Sequence, residues 1–212
     1  MKTILLFRHA KSDWAAETPD AERPLAPRGE KAAVQMGRMI TAAGSAPERA
    51  IVSSAVRTRQ TFDLACEAGG WDASARVTDA LYEATAAGVL AEIQAEPDDA
   101  AVLVVVGHEP TTSQLTSLLV GGGAFDVKTA AVLRIDIPVV RWADVAPARG
   151  LLVWMLSPTT VNVGAYRQLK KKAERKAEKA AEREAKAAAK AAAALMPAEV
   201  APGAAEAASP IG

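Results

Sequence analysis

At 212 residues, half of them apolar, the chain has material for one ordinary α/β domain and a remainder, whereas two separate domains would each have a poor core. Only 4 % of the residues are aromatic, so the core is expected to be built from Ala, Val, Leu and Ile. The net charge of zero divides unevenly: residues 1 to 166 carry 15 basic and 19 acidic groups, which excludes a general polyanion-binding body and leaves any phosphate site to local arginines.

The single cysteine, Cys66, allows neither an internal disulfide nor a thiolate zinc cluster, as expected in a reducing compartment. The apolar run from Ile4 to Phe7 is interrupted by Arg8 and His9, too soon for a secretory segment. No run approaches the roughly 20 apolar residues that span a bilayer. A cytoplasmic protein without a membrane partner is the expectation.

In chain order, residues 3–7 form a short apolar run that reads as a buried strand. Pro24, Pro27 and Gly29 punctuate a loop, and from Glu30 the residues Ala33, Met36, Gly37 and Ile40 recur at helical spacing. Residues 50–53 predict a second strand and residues 58–68 a second helix. The segment from Tyr82 to Asp99 is short, with one helix at most, so no large cap is expected. Residues 100–106 are the strongest strand, apolar on both faces as at the centre of a covered sheet. Pro110 then fits the first turn of a helix that buries Leu115, Leu118 and Leu119. Residues 131–137 and 151–156 predict two later strands. This alternation predicts an α/β fold, a three-layer α/β/α sandwich around a mostly parallel sheet.

A domain over residues 1–165 is expected to end where an Ala, Lys, Glu and Arg sequence begins. Residues 166–196 predict a long charged helix, about 28 residues and roughly 42 Å. Its basic and acidic groups form stripes without an apolar seam. A solvated helix is the favoured reading, with a nucleic-acid or acidic partner as the lesser one. Residues 197–212, rich in Pro and Ala, predict a disordered end.

Chemistry concentrates at strand ends. The chain has two histidines, His9 and His108, and each follows an apolar strand, where ligands collect in open α/β sheets. Two imidazoles also raise a metal site, but a catalytic zinc takes three protein ligands and Arg8 beside His9 repels a cation. Arg8 points instead to an anion. A third segment, Ser53-Ser54-Ala55-Val56-Arg57-Thr58, carries Arg57 to a helix start, where amide hydrogens and a guanidinium fork suit phosphoryl oxygens.

The segments Arg8-His9-Ala10-Lys11-Ser12, Ser53-Ser54-Ala55-Val56-Arg57-Thr58, Leu81-Tyr82-Glu83 and Gly107-His108-Glu109-Pro110 together resemble the histidine phosphatase superfamily, phosphoglycerate mutase-like in fold, and within it the small SixA-like branch. The resemblance spans most of residues 1–158. One departure is Ala10, where many members have glycine. The resemblance implies Arg8, His9, Arg57 and His108 as the phosphate pocket, with His9 as nucleophile and no metal or other cofactor. It implies Glu83 as the acid for a phosphoester leaving group. Lys11 and Ser12 follow the nucleophile closely enough to line the same pocket, and Trp14 is placed to shield its mouth. The implied substrate is a phosphoprotein, phosphohistidine included, or a small phosphomonoester. The competing expectation is a catalytically silent phosphate-binding or scaffold module that works through its charged tail.

Overall fold

The computed structural model describes residues 1–160, together with 175, 178–182, 185 and 186, which are helical and exposed. The predicted charged helix as a whole and the expected disordered end therefore lie outside the described residues. The chain divides into two units, Met1–Ala173 and Glu174–Gly212, and the fold is that of the first.

Six strands form one sheet: β1 (Lys2–Arg8), β2 (Arg49–Ser53), β3 (Ser74–Thr78), β4 (Val102–Gly107), β5 (Val132–Ile137) and β6 (Leu151–Leu156), in the spatial order β3-β2-β4-β1-β5-β6. Pairing is parallel from β3 through β1 and antiparallel at β1/β5 and β5/β6, so β5 is the reversed strand in an otherwise parallel sheet. Helices α1 (Pro27–Ala42), α2 (Val56–Gly69), α3 (Ala86–Gln94) and α4 (Thr111–Val120) complete the described layers.

The two-residue alternation of a strand explains the double core. Leu5, Phe7, Val52, Val104 and Val106 face α1 and α2, and are buried with Met36, Ile40 and Phe62. Ile4, Leu6, Ile51, Leu103 and Val105 face α3 and α4, and are buried with Leu90, Ile93 and Leu115. Because both faces are covered, β1 and β4 read as unbroken apolar runs. Burying each such side chain contributes about 1.5–3 kcal/mol.

Helix starts differ from the sequence pattern by two or three residues. Helix α1 begins at Pro27, where a first-turn proline loses no hydrogen bond, and α2 begins at Val56 rather than Thr58. Neither Ala26 nor Ala55 offers a capping side chain, so no local signal marked these starts. The shift puts Arg57 in the first turn of α2. Strand β3 was not foreseen: it pairs only with β2, at the sheet edge, and Val77 is half exposed, so it needed no apolar run.

Two glycines bring elements into backbone contact. A Cβ at Gly37 would lie 2.1 Å from the Ala65 carbonyl oxygen, so only glycine lets α1 and α2 approach this closely. A Cβ at Gly29 would lie 2.1 Å from the Lys11 carbonyl oxygen, which seats the start of α1 against the segment that follows His9. Among the described residues, no helix is long and apolar enough to cross a membrane.

Candidate active site

Strand order assembles the site. In the parallel β1/β4 pair Arg8 is level with Gly107, so the next residues, His9 and His108, leave the sheet side by side. Their ring centroids are 5.2 Å apart. On the other flank of β4, Val52 is level with Val106, so Ser53 and the start of α2 arrive at the same end. Three segments far apart in sequence thus meet at the carboxyl ends of three adjacent strands.

The backbone of His9 is fixed by its amide donating to the Gly107 carbonyl (3.0 Å) and its carbonyl accepting from Ala130 (3.1 Å). Its Nδ1 lies 2.7 Å from the Ala10 carbonyl oxygen. A carbonyl only accepts, so Nδ1 carries the hydrogen, and in the neutral ring Nε2 keeps a free lone pair. Burial drives the His9 pKa down to about 3, against the pull of the Ala10 carbonyl, and His108, Arg57 and Arg8 push it the same way. The ring is therefore neutral throughout the physiological range.

Ala10 is fully buried, with its amide donating to Thr61 Oγ1 at 3.0 Å. Its backbone is not left-handed, so the position accepts a methyl group without strain.

His108 is oriented by two neighbours. Arg57 Nη2 is 3.4 Å from its Nδ1 and Ser53 Oγ is 2.8 Å from its Nε2. A guanidinium only donates, so Nδ1 accepts and Nε2 donates to Ser53. Burial first, then the Arg57 charge, lowers its pKa to about 4, with Asp20 opposing.

Arg57 is 5 % exposed and held from one side, Nη2 donating to Asp20 Oδ2 (2.9 Å) and Nη1 to the Asp20 carbonyl (2.5 Å). Asp20 also accepts from Tyr82 Oη (2.9 Å) and pairs with Arg23. Its partial burial alone would raise its pKa, but the Tyr82 hydrogen bond and the Arg57 and Arg23 charges hold it below the ordinary carboxylate value. Arg8 donates to the Val127 carbonyl at 2.6 Å. Burial lowers its pKa, opposed by Glu109 and Asp126, yet a guanidinium stays charged near neutrality.

Arg8, His9, Lys11, Ser12, Arg57, Glu83 and His108 all line one cleft of about 580 Å³. The Nε atoms of Arg8, Arg23 and Arg57 are buried there without a protein partner among the described residues. Three cationic side chains lining one cleft favour an oxyanion there. Ser12 is buried, and Glu83 is exposed at the cleft wall with φ of 52°, a left-handed conformation that a non-glycine residue adopts only under constraint. Trp14, expected at the mouth, lines the cleft with its ring 72 % exposed.

Sequence reasoning missed Asp20, Arg23, Tyr82 as an anchor, and Ser53 as the partner of His108. Asp20 sits in a 3-10 turn (Asp20–Glu22) that nothing local connects to Arg57, 37 residues away. Ser53 carried a readable signal, since it ends a strand directly before the arginine segment.

Two imidazoles, His9 and His108, and two guanidiniums, the half-buried Arg8 and the buried Arg57, thus line one cleft at the central strand ends of a three-layer α/β sandwich. The sequence model of the histidine phosphatase superfamily (branch 1) matches residues 4–87. An uncharacterized protein of Mycobacterium tuberculosis is 38 % identical over 156 residues, covering 69 % of this chain and 96 % of that protein. The putative phosphohistidine phosphatase SixA from Nakamurella multipartitia is 30 % identical, with a TM-score of 0.65 over 74 % of this chain and 96 % of that one. A protein histidine phosphatase SixA complexed with tungstate is 23 % identical with a TM-score of 0.66, over 76 % and 99 %, a likeness of fold. The chain belongs to the histidine phosphatase superfamily, in its SixA-like branch.

Proposed function

We propose that the chain is a metal-independent phosphatase, with residues 1–165 as its catalytic domain, that works through a phosphohistidine on His9. Its substrate is a phosphoprotein, phosphohistidine above all, or a small phosphomonoester. The observation that carries this reading is the His9 ring: neutral, with Nδ1 donating to the Ala10 carbonyl and the Nε2 lone pair left for phosphorus. His9 Nε2 bonds to phosphorus as the bond to the leaving oxygen or nitrogen breaks, and water then cleaves the phosphoenzyme to release inorganic phosphate. Arg8 and Arg57 stabilise the charge spread over the equatorial oxygens, His108 joins them when its Nε2 hydrogen turns from Ser53 Oγ to one of those oxygens, and Lys11 and Ser12 contact the same group. The guanidinium charges that serve this transfer disfavour a metal cation at the two imidazoles.

The test is a rapid acid-or-base quench with radiolabelled phosphoprotein. Wild type is expected to hold an acid-labile, base-stable phosphoryl group. A His9→Ala protein that traps the same label would overturn the assignment.

The lowered imidazole pKa values fix the pH dependence. With both rings neutral down to about pH 5, kcat/KM on phosphohistidine, which does not call on the Glu83 proton, is expected to stay level from pH 8 to about 5 once corrected for the substrate's own ionisation. It falls only as the rings titrate at about 4 and about 3. A limb centred on 6.5, the ordinary histidine value, would contradict the burial argument. Stability follows with a definite sign. Above 6.5 folded and unfolded rings are both neutral; below it the unfolded chain takes up protons that the folded one refuses. Stability is thus full above the unfolded value and is lost as pH falls toward about 4 and about 3.

Glu83 supplies the proton to an alkoxide leaving group. Glu83→Gln is expected to slow an alkyl phosphomonoester by on the order of 100-fold, while phosphohistidine, whose leaving nitrogen needs less help, changes far less. Steady-state rates on the two substrates check this, and an equal loss on both would remove Glu83 from the acid role.

A further inference from the structure

We propose that Trp14, backed by the Arg23 guanidinium, is a shelf for a planar aromatic group carried by the phosphate compound in the cleft. The shelf favours aryl and imidazole phosphoryl compounds over alkyl ones. This rests on the reading that Arg8 and Arg57 hold the phosphoryl group, and it adds a determinant for what that group is attached to.

The shelf is built by the segment between β1 and α1. After His9 the chain runs out and folds back on itself: Ser12 bridges Leu25 in antiparallel fashion, Asp13 donates to the Pro24 carbonyl (2.8 Å), and Ala26 donates to the Lys11 carbonyl (2.9 Å). The next rung outward sets Trp14 opposite Arg23. There the Arg23 Cζ lies 3.7 Å from the centroid of the indole, and Lys11 Nζ lies 5.8 Å from it. A guanidinium stacked on the ring is a favourable cation–π arrangement, and with Trp14 72 % exposed most of the indole surface remains in contact with solvent.

Burial separates the two partners. Arg23 is 8 % exposed and ion-paired to Asp20, whereas Trp14 is 72 % exposed although it lines the same cleft as His9. A tryptophan kept for packing would bury its ring. Here the buried member is the cation beneath, and the aromatic surface is what the cleft presents.

Asp20 joins the shelf to the phosphate site. The carboxylate that anchors Arg23 also accepts from Arg57 Nη2 at 2.9 Å and from Tyr82 Oη at 2.9 Å. One carboxylate thus links the cation stacked on the indole to the arginine of the phosphate pocket. A planar ring one bond from phosphorus or its bridging atom gains offset stacking on the indole, and an alkyl group of similar size gains only contact.

The experiment measures binding, so it does not depend on turnover. Phenylphosphonate and methylphosphonate, neither of which can be hydrolysed, are titrated calorimetrically into the full-length wild type, Trp14→Phe and Trp14→Ala. Wild type is expected to prefer the phenyl ligand. The phenyl-to-methyl affinity ratio falls by roughly five- to tenfold in Trp14→Ala, the scale of one lost aromatic pair, and Trp14→Phe keeps most of it. A wild-type ratio near one, or the same ratio in wild type and Trp14→Ala, overturns the shelf. Because Trp14→Phe retains a ring, a ratio lost in both variants assigns the effect to loop distortion and also overturns it. Failure of the catalytic reading looks different: wild type and His9→Ala would hydrolyse phosphoprotein equally while the Trp14-dependent phenyl preference persisted.

Discussion

His9→Ala is expected to lower kcat by on the order of 10⁴-fold to 10⁶-fold, the range found when a covalent nucleophile is removed. The substitution deletes little besides the imidazole. The backbone bonds of residue 9, to the Gly107 carbonyl and from the Ala130 amide, do not involve the side chain. Arg8, Arg57 and His108 each keep their own anchors, to Val127, Asp20 and Ser53. Inorganic phosphate should therefore still bind while turnover is lost, and binding calorimetry beside steady-state kinetics separates the two. Loss of phosphate binding together with turnover would instead mark His9 as part of the pocket's framework. Unchanged turnover would sink the His9 mechanism, and an absence of turnover in the wild type itself would leave the silent phosphate-binding module in its place.

Arg57→Lys is expected to cost on the order of 10³-fold in kcat despite retaining the positive charge. The reason is geometric. Arg57 uses one edge of its fork for Asp20 and one hydrogen for His108, and its buried Nε remains without a protein partner. A lysine ammonium is a point donor that cannot hold Asp20, orient His108 and face a phosphoryl oxygen together. Because the interaction strengthens as charge spreads over the equatorial oxygens, kcat should fall more than KM rises. Pre-steady-state and steady-state kinetics on one phosphoprotein check this; a rise in KM alone would make Arg57 a ground-state binding residue.

Much of the fold was legible because burial on both sides forces continuous apolar runs. Residues 100–106 could be placed in the sheet centre and residues 3–7 as a buried strand without any partner being known, and β4 and β1 are the two central strands. Polar β3 escaped because an edge strand needs only one ladder of hydrogen bonds and little apolar surface. The starts of α1 and α2 were read late because alanine, without a capping side chain, stands before each.

For the site, strand ends drew attention to His9, His108 and the segment that carries Arg57, and the resemblance to a known family implied Arg8, His9, Arg57 and His108 as one pocket. Their meeting was a tertiary event. It required β1, β4 and β2 to be neighbours, an order set by crossover helices and by no residue in the strands themselves. The chemical state of His9 was likewise decided only in the folded chain. An ordinary imidazole near 6.5 is partly protonated at neutral pH, and it is burial, an effect of the surrounding layers, that brings it to about 3. The same holds for Asp20 and the Trp14–Arg23 pair, which reach the cleft through a fold-back loop whose contacts are long-range. Residue identity along the strands determined which groups stand at the strand ends, because side-chain alternation and burial are local rules. Which of them face one another, and with which proton, belonged to the tertiary structure, because desolvation and long-range hydrogen bonds exist only once the layers close.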